Sequence, residues 1–466
     1  MRRTLGLALA AFTAVAAVPA LGADPELPFR VQRLSERIVI FTELSPWESN
    51  HVVIVGEQGL VLVDPGHTPL MGRLIRQALK QELGRDRVDW VVDTHEHWGH
   101  TWGNAAFPEA VVIGHERVAR VMAADAANRE ARAGVFRGQA EQAAARLKGL
   151  DPASEEGRAA RLQLDHCERI VHGLSEPGFT VRVPELTFSD QLGLDLGDGS
   201  LEMSFLGRGH SDSDIVVLIP EDKTVLLGCF FLEQGPLPVF GNQPKLDPER
   251  WLEVLGAVLD REPEVEHVVL GQHAVWPRER LAAMRDYVAG LWPALQRLDA
   301  ENVDLESAVA RLPVPAELGF LRQAGVSEED LEGFHRLEVT TLWRQLQESA
   351  AAAVEQAIAE GGVAAGVARY RELAARDDSQ VFFDENEFNL LGYKLLGQGR
   401  VDQAIAVLEL NVERFPGSWN VYDSLGEACA VRGERERAIA LYRRSLELNP
   451  DNSNGVQALE RLGAAE

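Results

Sequence analysis

The chain has 466 residues, with 46 Lys or Arg against 72 Asp or Glu, a formal net charge of −26 at pH 7. Hydrophobic residues make up 45% and charged residues 25%, which is typical of a globular protein, and the length predicts two to three domains. A charge this negative argues against nucleic acid or an anionic membrane surface as partner, because both require basic patches.

Residues 1–23 have the pattern of a secretory signal peptide, with a basic start, an apolar run over residues 5–18 and small residues before a cleavage site after Gly22 or Ala23. The apolar run is too short to span a bilayer comfortably as a helix. No later stretch is long and apolar enough for a membrane helix. We therefore expect an exported protein, periplasmic or secreted, without a membrane partner.

Strand and helix patterns alternate over residues 24–298. Two strands around a turn are predicted in "HVVIVGEQGLVLVDPG", a helix at 70–83, and further strands in "RVDWVVDT" and "AVVIGHE". A block rich in Ala, Arg and Glu, about residues 118–174, predicts a helical insertion. The later strands and one helix are predicted at 186–188, 192–196, 201–206, 215–219, 224–227, 248–260 (the helix) and in "EHVVLGQH".

The chain from Pro277 onward is predicted to be entirely helical, with a helical linker at 299–380 and repeats at 381–466. The repeat positions recur with an offset of 34: Phe388, Leu391, Gly392, Ala404 and Pro416, then Tyr422, Leu425, Gly426, Ala438 and Pro450. This is the pattern of tetratricopeptide repeats, in which small residues let paired helices approach closely. Because two repeats seldom stand alone, we expect preceding helices to stack on them. Such repeats suggest a protein partner or self-association.

The segment "THEHWGHTWG", residues 94–103, concentrates three histidines directly after a predicted strand. Side chains two positions apart in an extended segment face the same way, so His95 and His97 can converge on one metal ion, while His100 can serve a neighbouring site. Imidazole and thiolate are preferred zinc ligands. Three more candidates stand where an apolar strand meets a loop: His210, Cys229 and His273.

Residues 30 to about 295 resemble the metallo-β-lactamase superfamily in both the content and the order of five motifs. These are "VDPG", "HEHWGH", "GRGH", "LLGCF" and "GQH". The resemblance implies an α/β fold, an αββα sandwich, followed here by the all-α repeat domain. It also implies a zinc site in which His95, His97 and His210 hold the first metal and His100, Cys229 and His273 surround the second. Asp64 matches a buried carboxylate that supports the histidine loop.

Two positions depart from the family pattern. Gly99 replaces an aspartate that ligates the second metal and orients the attacking water, so either a three-ligand second site or a single zinc ion is expected. Leu232 replaces a lysine that true β-lactamases of the cysteine-containing branch use to hold the drug's carboxylate. Glu96 should point away from its neighbours, which makes it a supporting or solvent-facing residue.

Three aromatic residues, Trp47, Trp98 and Phe240, are candidates for a substrate-contacting rim, whereas Trp102 is interpreted as a packing residue. Cys429 fills an apolar repeat position and is interpreted as core. The remaining histidines are interpreted as ordinary core or surface residues, with helix capping as the simplest role of the third: His51, His67, His115, His166, His172, His267 and His335.

The sequence thus predicts an exported hydrolase with one or two zinc ions. It would attack a small ester, thioester, lactone or amide with metal-bound hydroxide, and no further side chain is assigned to the catalytic step. A true β-lactamase is one alternative. Another is a metal-binding scaffold with weak or no catalysis that docks partners through its repeats.

Overall fold

The computed structural model of the protein describes residues 27–234, 237–240, 246–262, 264–273, 275–376, 380–450 and 452–464. The predicted signal peptide, residues 1–23, lies outside them. The described chain forms two compact units. One comprises the residues up to Pro293 with Pro313–Glu338, and the other comprises Ala294–Leu312 with the residues from Val339 onward. None of the described helices is long and apolar enough to cross a membrane.

A seven-stranded mixed sheet forms one layer of the first unit, with its strands in chain order. The first four strands are antiparallel neighbours, and the last four run parallel. The strands are β1 (Phe29–Arg33), β2 (Ile38–Glu43), β3 (Asn50–Gly56), β4 (Gly59–Val63), β5 (Trp90–Asp93), β6 (Val111–His115) and β7 (Leu186–Phe188). The helices between them are α1 (Pro69–Leu83), α2 (Trp98–Thr101), α3 (Glu116–Asp125), α4 (Arg129–Leu147) and α5 (Glu155–Leu174).

A six-stranded sheet forms the second layer, in the order β15-β14-β11-β10-β9-β8. Its strands are β8 (Gln191–Asp195), β9 (Ser200–Phe205), β10 (Ile215–Ile219), β11 (Thr224–Leu226), β14 (His267–Val269) and β15 (Val275–Pro277). A separate hairpin joins β12 (Phe231–Gln234) to β13 (Leu237–Phe240), and helix α6 spans Pro248–Leu259.

The core of this unit lies between the two sheets. Alternate residues of β2 and β10, such as Ile38 and Val217, point into one buried cluster, as the period of two along a strand requires. The opposite face of the first sheet is covered by α1, whose Ile75 and Leu79 pack against Phe41. Strands buried on both faces explain the near-continuous apolar sequence of β2 to β4. The first unit is therefore an α/β sandwich, as predicted.

The predicted helical insertion contains three helices, α3, α4 and α5. Its apolar side chains form a cluster with a buried tryptophan of the histidine segment, Trp102. The partly buried Trp47 and Trp98 pack against the same cluster. The insertion is thus part of the packing around the histidine segment.

The second unit is helical, apart from a parallel pair of two-residue strands. That pair, β16 (Glu348–Ser349) and β17 (Val381–Phe382), contradicts the prediction of helix alone, because two residues are too few to give a periodic signal. The second unit contains α8 (Leu305–Arg311), α11 (Ala350–Ala374), α12 (Glu385–Gly397), α13 (Val401–Arg414), α14 (Trp419–Arg432), α15 (Arg435–Leu448) and α16 (Ser453–Arg461). Helix α9 (Gly319–Gln323) belongs to the first unit, and α7 (Arg278–Ala300) and α10 (Glu328–Trp343) begin in the first unit and end in the second. Helix α11 shares one core with α12 and α13, so a preceding helix does stack on the repeats.

Close packing of paired helices in the repeats depends on Gly392. A Cβ atom there would lie 2.6 Å from Cγ of Leu408 on the facing helix, whereas one at Gly397, in the same helix, would meet no atom within 4 Å. We expect Gly392→Val to destabilise the second unit by about 1–3 kcal/mol through overpacking. Gly397→Val carries the same β-branched side chain and should cost well under half of that, as measured by thermal unfolding of the full chain. Equal costs at the two positions would contradict the packing argument.

Candidate metal centre

The histidine segment begins where two parallel strands end side by side. Strand β4 leads to Asp64, and the adjacent β5 leads to Thr94, so the two residues meet at one edge of the sheet. Asp64 accepts hydrogen bonds from the backbone N–H of Thr94 (2.9 Å) and from its hydroxyl (2.7 Å). This carboxylate therefore fixes the start of the loop that carries His95 and His97, and His97 is the N-cap residue of α2.

Four imidazole rings gather around this loop. The ring centroid of His95 lies 4.9 Å from that of His97, 4.7 Å from that of His100 and 5.3 Å from that of His210. Nδ1 of His97 lies 2.9 Å from Nε2 of His210, which lies in the loop between β9 and β10 of the second sheet. The structure thus brings together the three predicted ligands of the first metal.

Cys229 joins the cluster from the end of β11. Its Sγ lies 3.2 Å from Nε2 of His100, whose Nδ1 is 3.3 Å from Oδ2 of Asp64. Ligand atoms of His95, His210 and Cys229 all come within 4.8 Å of one another. Two of the three residues predicted around a second metal, His100 and Cys229, therefore face the first set directly.

His273 is placed differently from the other candidates. Its Nδ1 lies 3.1 Å from Oε2 of Glu48, and its backbone N–H donates to the carbonyl of the same residue. Both residues have left-handed backbones, with φ of 60° and 45°. Non-glycine residues adopt this conformation mainly where local contacts enforce it. Glu48 gave no sequence signal, because it lies 225 positions away in a loop after β2.

The electrostatics of the cluster favour neutral imidazoles at three positions. Burial lowers the pKa of His95, His97 and His210, and the neighbouring His100 lowers the pKa of all three further. Burial acts in the same direction on His100, but Cys229 and the carboxylate of Asp64 raise its pKa well above the ordinary value. Metal binding requires neutral imidazole, so the first three residues are already in the ligating form.

The donor set fits zinc. Two nitrogens bound tetrahedrally to one zinc ion lie about 3.3 Å apart, and a nitrogen and a sulfur about 3.6 Å apart. The observed separations of 2.9 and 3.2 Å are within a few tenths of an ångström of these values. In the described chain, Nε2 of His95 and Nδ1 of His210 are buried without a hydrogen-bond partner. Buried polar atoms are rarely left so, and a bound ion would satisfy His95.

Gly99 leaves space where the family pattern has a carboxylate. A Cβ atom there would approach a single neighbour within 4 Å in the described structure, Cζ3 of Trp47 at 3.6 Å, which is ordinary contact. The glycine lies in α2 without a left-handed backbone. The position therefore tolerates a side chain, and the missing ligand is a change of residue rather than of fold.

Glu96 has a supporting role that the sequence left open. This buried side chain accepts a hydrogen bond from the backbone N–H of Asp212 (3.2 Å) and one from the hydroxyl of Ser213. Asp214 closes the same loop by accepting from the N–H of Ser211 at 2.8 Å, and burial raises its pKa to about 7. Two carboxylates thus position the loop that carries His210. Spacing within the motif identifies Glu96 but cannot show its partner.

The candidate rim residues lie partly inside the protein. Trp47 and Trp98 are half-buried and pack edge to face at 5.7 Å, and the guanidinium of Arg132 lies over Trp98. Trp102 is fully buried, as its packing interpretation requires. Leu232 is half-buried on β12 opposite Val239. Phe240 ends β13, and its side chain lies outside the described residues.

Cys429 and the capping histidine lie where the sequence predicted them. Cys167 and Cys429 are free and buried in the apolar clusters of the insertion and of the repeats. His115 accepts a hydrogen bond from the N–H of Arg117 and so caps α3. His67 and His166, interpreted as ordinary residues, instead meet Glu43 in a second group of potential metal ligands.

Comparison with known proteins finds one family match within each unit. Residues 44–273 match the metallo-beta-lactamase superfamily, and residues 419–452 match the tetratricopeptide repeat. The metallo-beta-lactamase type 2 of Bacteroides fragilis is 33% identical over 89 residues, which cover 19% of this chain and 35% of that protein. The matched segment therefore spans about a third of that relative's length. The chain carries a metallo-β-lactamase superfamily domain followed by a tetratricopeptide repeat, as the motifs predicted.

Solved structures similar to this chain include three proteins. A metallo-beta-lactamase from Pontibacter korlensis is 17% identical, with a TM-score of 0.37, over 56% of this chain and 99% of its own. The inverting sec-alkylsulfatase Pisa1 from Pseudomonas sp. is 14% identical, with a TM-score of 0.46, over 94% of this chain and 66% of its own. The metallo-beta-lactamase FIM-1 from Pseudomonas aeruginosa, in a mono-zinc form, is 18% identical, with a TM-score of 0.39, over 56% of this chain and 95% of its own.

Proposed function

We propose that this chain with a metallo-β-lactamase superfamily domain is a zinc-dependent hydrolase that attacks a carbonyl-type bond in a small ester, thioester, lactone or amide. The observation that carries the proposal is the convergence of His95, His97 and His210 with the His100–Cys229 pair at one edge of the sandwich. A zinc ion held by such ligands lowers the pKa of a bound water to about 7 and so supplies a nucleophile at neutral pH.

The chain's own residues would hold the ligands in place rather than react. Asp64 orients the loop of His95 and His97 through Thr94, and Glu96 fixes the loop of His210. Such partners of metal ligands commonly set metal affinity. Trp47 and Trp98 give an apolar wall beside Gly99, which suits an uncharged portion of a substrate.

A β-lactam substrate is the second candidate, favoured by the 33% identity to a metallo-beta-lactamase type 2. Leu232 weighs against it, because a leucine cannot pair with the carboxylate of such a drug. Export to the periplasm or medium is part of the same proposal and is supported by the signal-peptide pattern of residues 1–23. The tetratricopeptide match supports a protein partner or self-association through the repeats.

Metal content and turnover of the same samples test the proposal. The purified full chain and a Cys229→Ala variant would be analysed for zinc by mass spectrometry, and then offered esters, thioesters, lactones, amides and β-lactams. We expect zinc in the parent chain, less in the variant, and hydrolysis that a chelator abolishes and zinc restores. His95→Ala should remove turnover, whereas His172→Ala, an exposed histidine on α5, should not. Hydrolysis that survives both chelation and His95→Ala would refute a zinc-dependent reaction.

A further inference from the structure

A second group of metal-ligating side chains lies in the first unit, apart from the candidate metal centre. It comprises Glu43 at the end of β2, His67 just before α1 and His166 in the middle of α5. Their ligand atoms all lie within 4.8 Å of one another. Each of the three side chains is at most 1% exposed to solvent. A carboxylate and two imidazoles are therefore held together out of contact with water.

The polar atoms of this group are not satisfied by the protein. Within the described residues, Oε2 of Glu43, Nε2 of His166 and Nδ1 of His67 are buried without a hydrogen-bond partner, and Nε2 of His67 has only a long contact of 3.5 Å to Oε1 of Glu43. A buried imidazole without a close hydrogen-bond partner on either nitrogen is rare, because each unpaired group loses its hydration without compensation. One ligand atom of each side chain lies within 4.8 Å of the other two, and the unpaired atoms of these residues indicate a missing ligand there.

The contacts that do exist leave one oxygen of the Glu43 carboxylate without a hydrogen-bond partner in the described structure. Oε1 of Glu43 accepts from Nη2 of Arg169 at 3.1 Å and lies 3.1 Å from Nδ1 of His166. Oε2 of the same carboxylate is not engaged by these contacts. Burial lowers the pKa of His67, which keeps its imidazole in the neutral form that binds metals. Burial raises the pKa of Glu43, but His67 and His166 hold it well below the ordinary value.

We propose that Glu43, His67 and His166 form a second metal site, distinct from the His95–Cys229 centre, that binds a divalent first-row transition-metal ion. Two imidazoles and one carboxylate are a ligand set that zinc and iron(II) both accept. The ligands come from three separate elements, so the ion joins the end of β2, the loop before α1 and the insertion helix α5.

The packing around the group keeps α5 at the distance that the site needs. A Cβ atom at Gly173 of α5 would lie 2.4 Å from Oγ1 of Thr68, the residue after His67, so only a glycine permits this approach. The ring of Trp47 packs on that of His166 at 4.6 Å, and its other edge faces Gly99 of the candidate metal centre. Binding at the second site would therefore fix an aromatic wall of the first.

The test removes the first centre and counts the metal that remains. The full chain carrying His95→Ala, His210→Ala and Cys229→Ala would be loaded with zinc and freed of unbound metal. We expect one zinc ion per chain, which is lost when His67→Ala and His166→Ala are added and kept when His172→Ala, on the same helix, is added instead. Cobalt(II) gives a second readout: the three-fold variant should show cobalt absorption without the thiolate charge-transfer band.

The outcomes separate this site from the proposed hydrolase centre. A folded three-fold variant that binds neither zinc nor cobalt would overturn the second site. So would an unchanged metal count after His67→Ala and His166→Ala, which would make the group a buried ion pair. The reciprocal chain, with only His67 and His166 replaced, measures the first centre alone. If the five-fold variant fails to fold, a difference of one metal between the parent chain and this reciprocal chain decides the matter.

Discussion

Replacing Asp64 with asparagine is expected to weaken zinc binding by about 10- to 100-fold, the usual effect of losing the partner of a metal ligand. The carboxylate holds Thr94 through two hydrogen bonds and lies 3.3 Å from Nδ1 of His100. Asparagine keeps the shape and one acceptor but removes the charge that orients this imidazole. The affinity is measured by competition with a chelator of known zinc affinity.

The backbone at Asp64 lets the effect of the charge on zinc binding be measured separately from its effect on stability. Asp64 has a φ of 56°, a left-handed conformation that asparagine adopts more readily than other non-glycine residues. Its carbonyl also accepts a hydrogen bond from Nδ1 of His51 at 2.6 Å. We therefore expect Asp64→Asn to retain its unfolding temperature, whereas Asp64→Ala should additionally lose about 1–3 kcal/mol of stability. Asp195→Asn, an exposed position, is the control. Unchanged zinc affinity in a folded Asp64→Asn variant would exclude the orienting role.

Introducing an aspartate at Gly99 is expected to restore the carboxylate ligand of the family pattern. A Cβ there meets only ordinary contact with Trp47 in the described structure, and His100 and Cys229 already lie 3.2 Å apart. Adding a charged ligand to a site with two suitable donors should raise the affinity for a second zinc ion by at least about tenfold. Titration of the metal-depleted chain with zinc, followed by calorimetry, measures this change.

The matched control is Gly99→Ala, which adds the Cβ without the carboxylate. It should leave the zinc stoichiometry of the parent chain unchanged, because the methyl group fits beside Trp47. If the aspartate and alanine variants bind the second zinc ion of the candidate metal centre with the same affinity, position 99 no longer faces that centre.

The sequence predicted most of the first unit because its signals are local. Short apolar runs predicted the strands, and the motifs singled out His95, His97, His210, His100 and Cys229 as candidates, which the structure brings close together. The contact of Glu48 with His273 could not be predicted, because it depends on two left-handed residues 225 positions apart. The sequence leaves Glu96 between a supporting and a solvent-facing role, and its contact with Ser213 decides for the supporting role.

The group of Glu43, His67 and His166 could not be predicted from the sequence for the same reason. Glu43 and His166 are separated by 123 positions, and His166 lies within a helical insertion that follows no motif. An isolated histidine in a helix is most simply a core or surface residue, and only the fold brings His166 to Glu43 and His67. The two-residue strands β16 and β17 were missed because pairing of two residues leaves no periodic pattern.

The origin of the ligands from both sheets has a consequence for how the protein folds. His97 and His210 are 113 positions apart, and His100 and Cys229 are 129 apart. Closing loops of this length costs chain entropy before any ligand pair forms, so contacts of such high sequence separation are made late. We therefore expect metal capture to follow the docking of the two sheets and to slow their separation, so that the ion determines the lifetime of the folded domain more than the rate at which it forms.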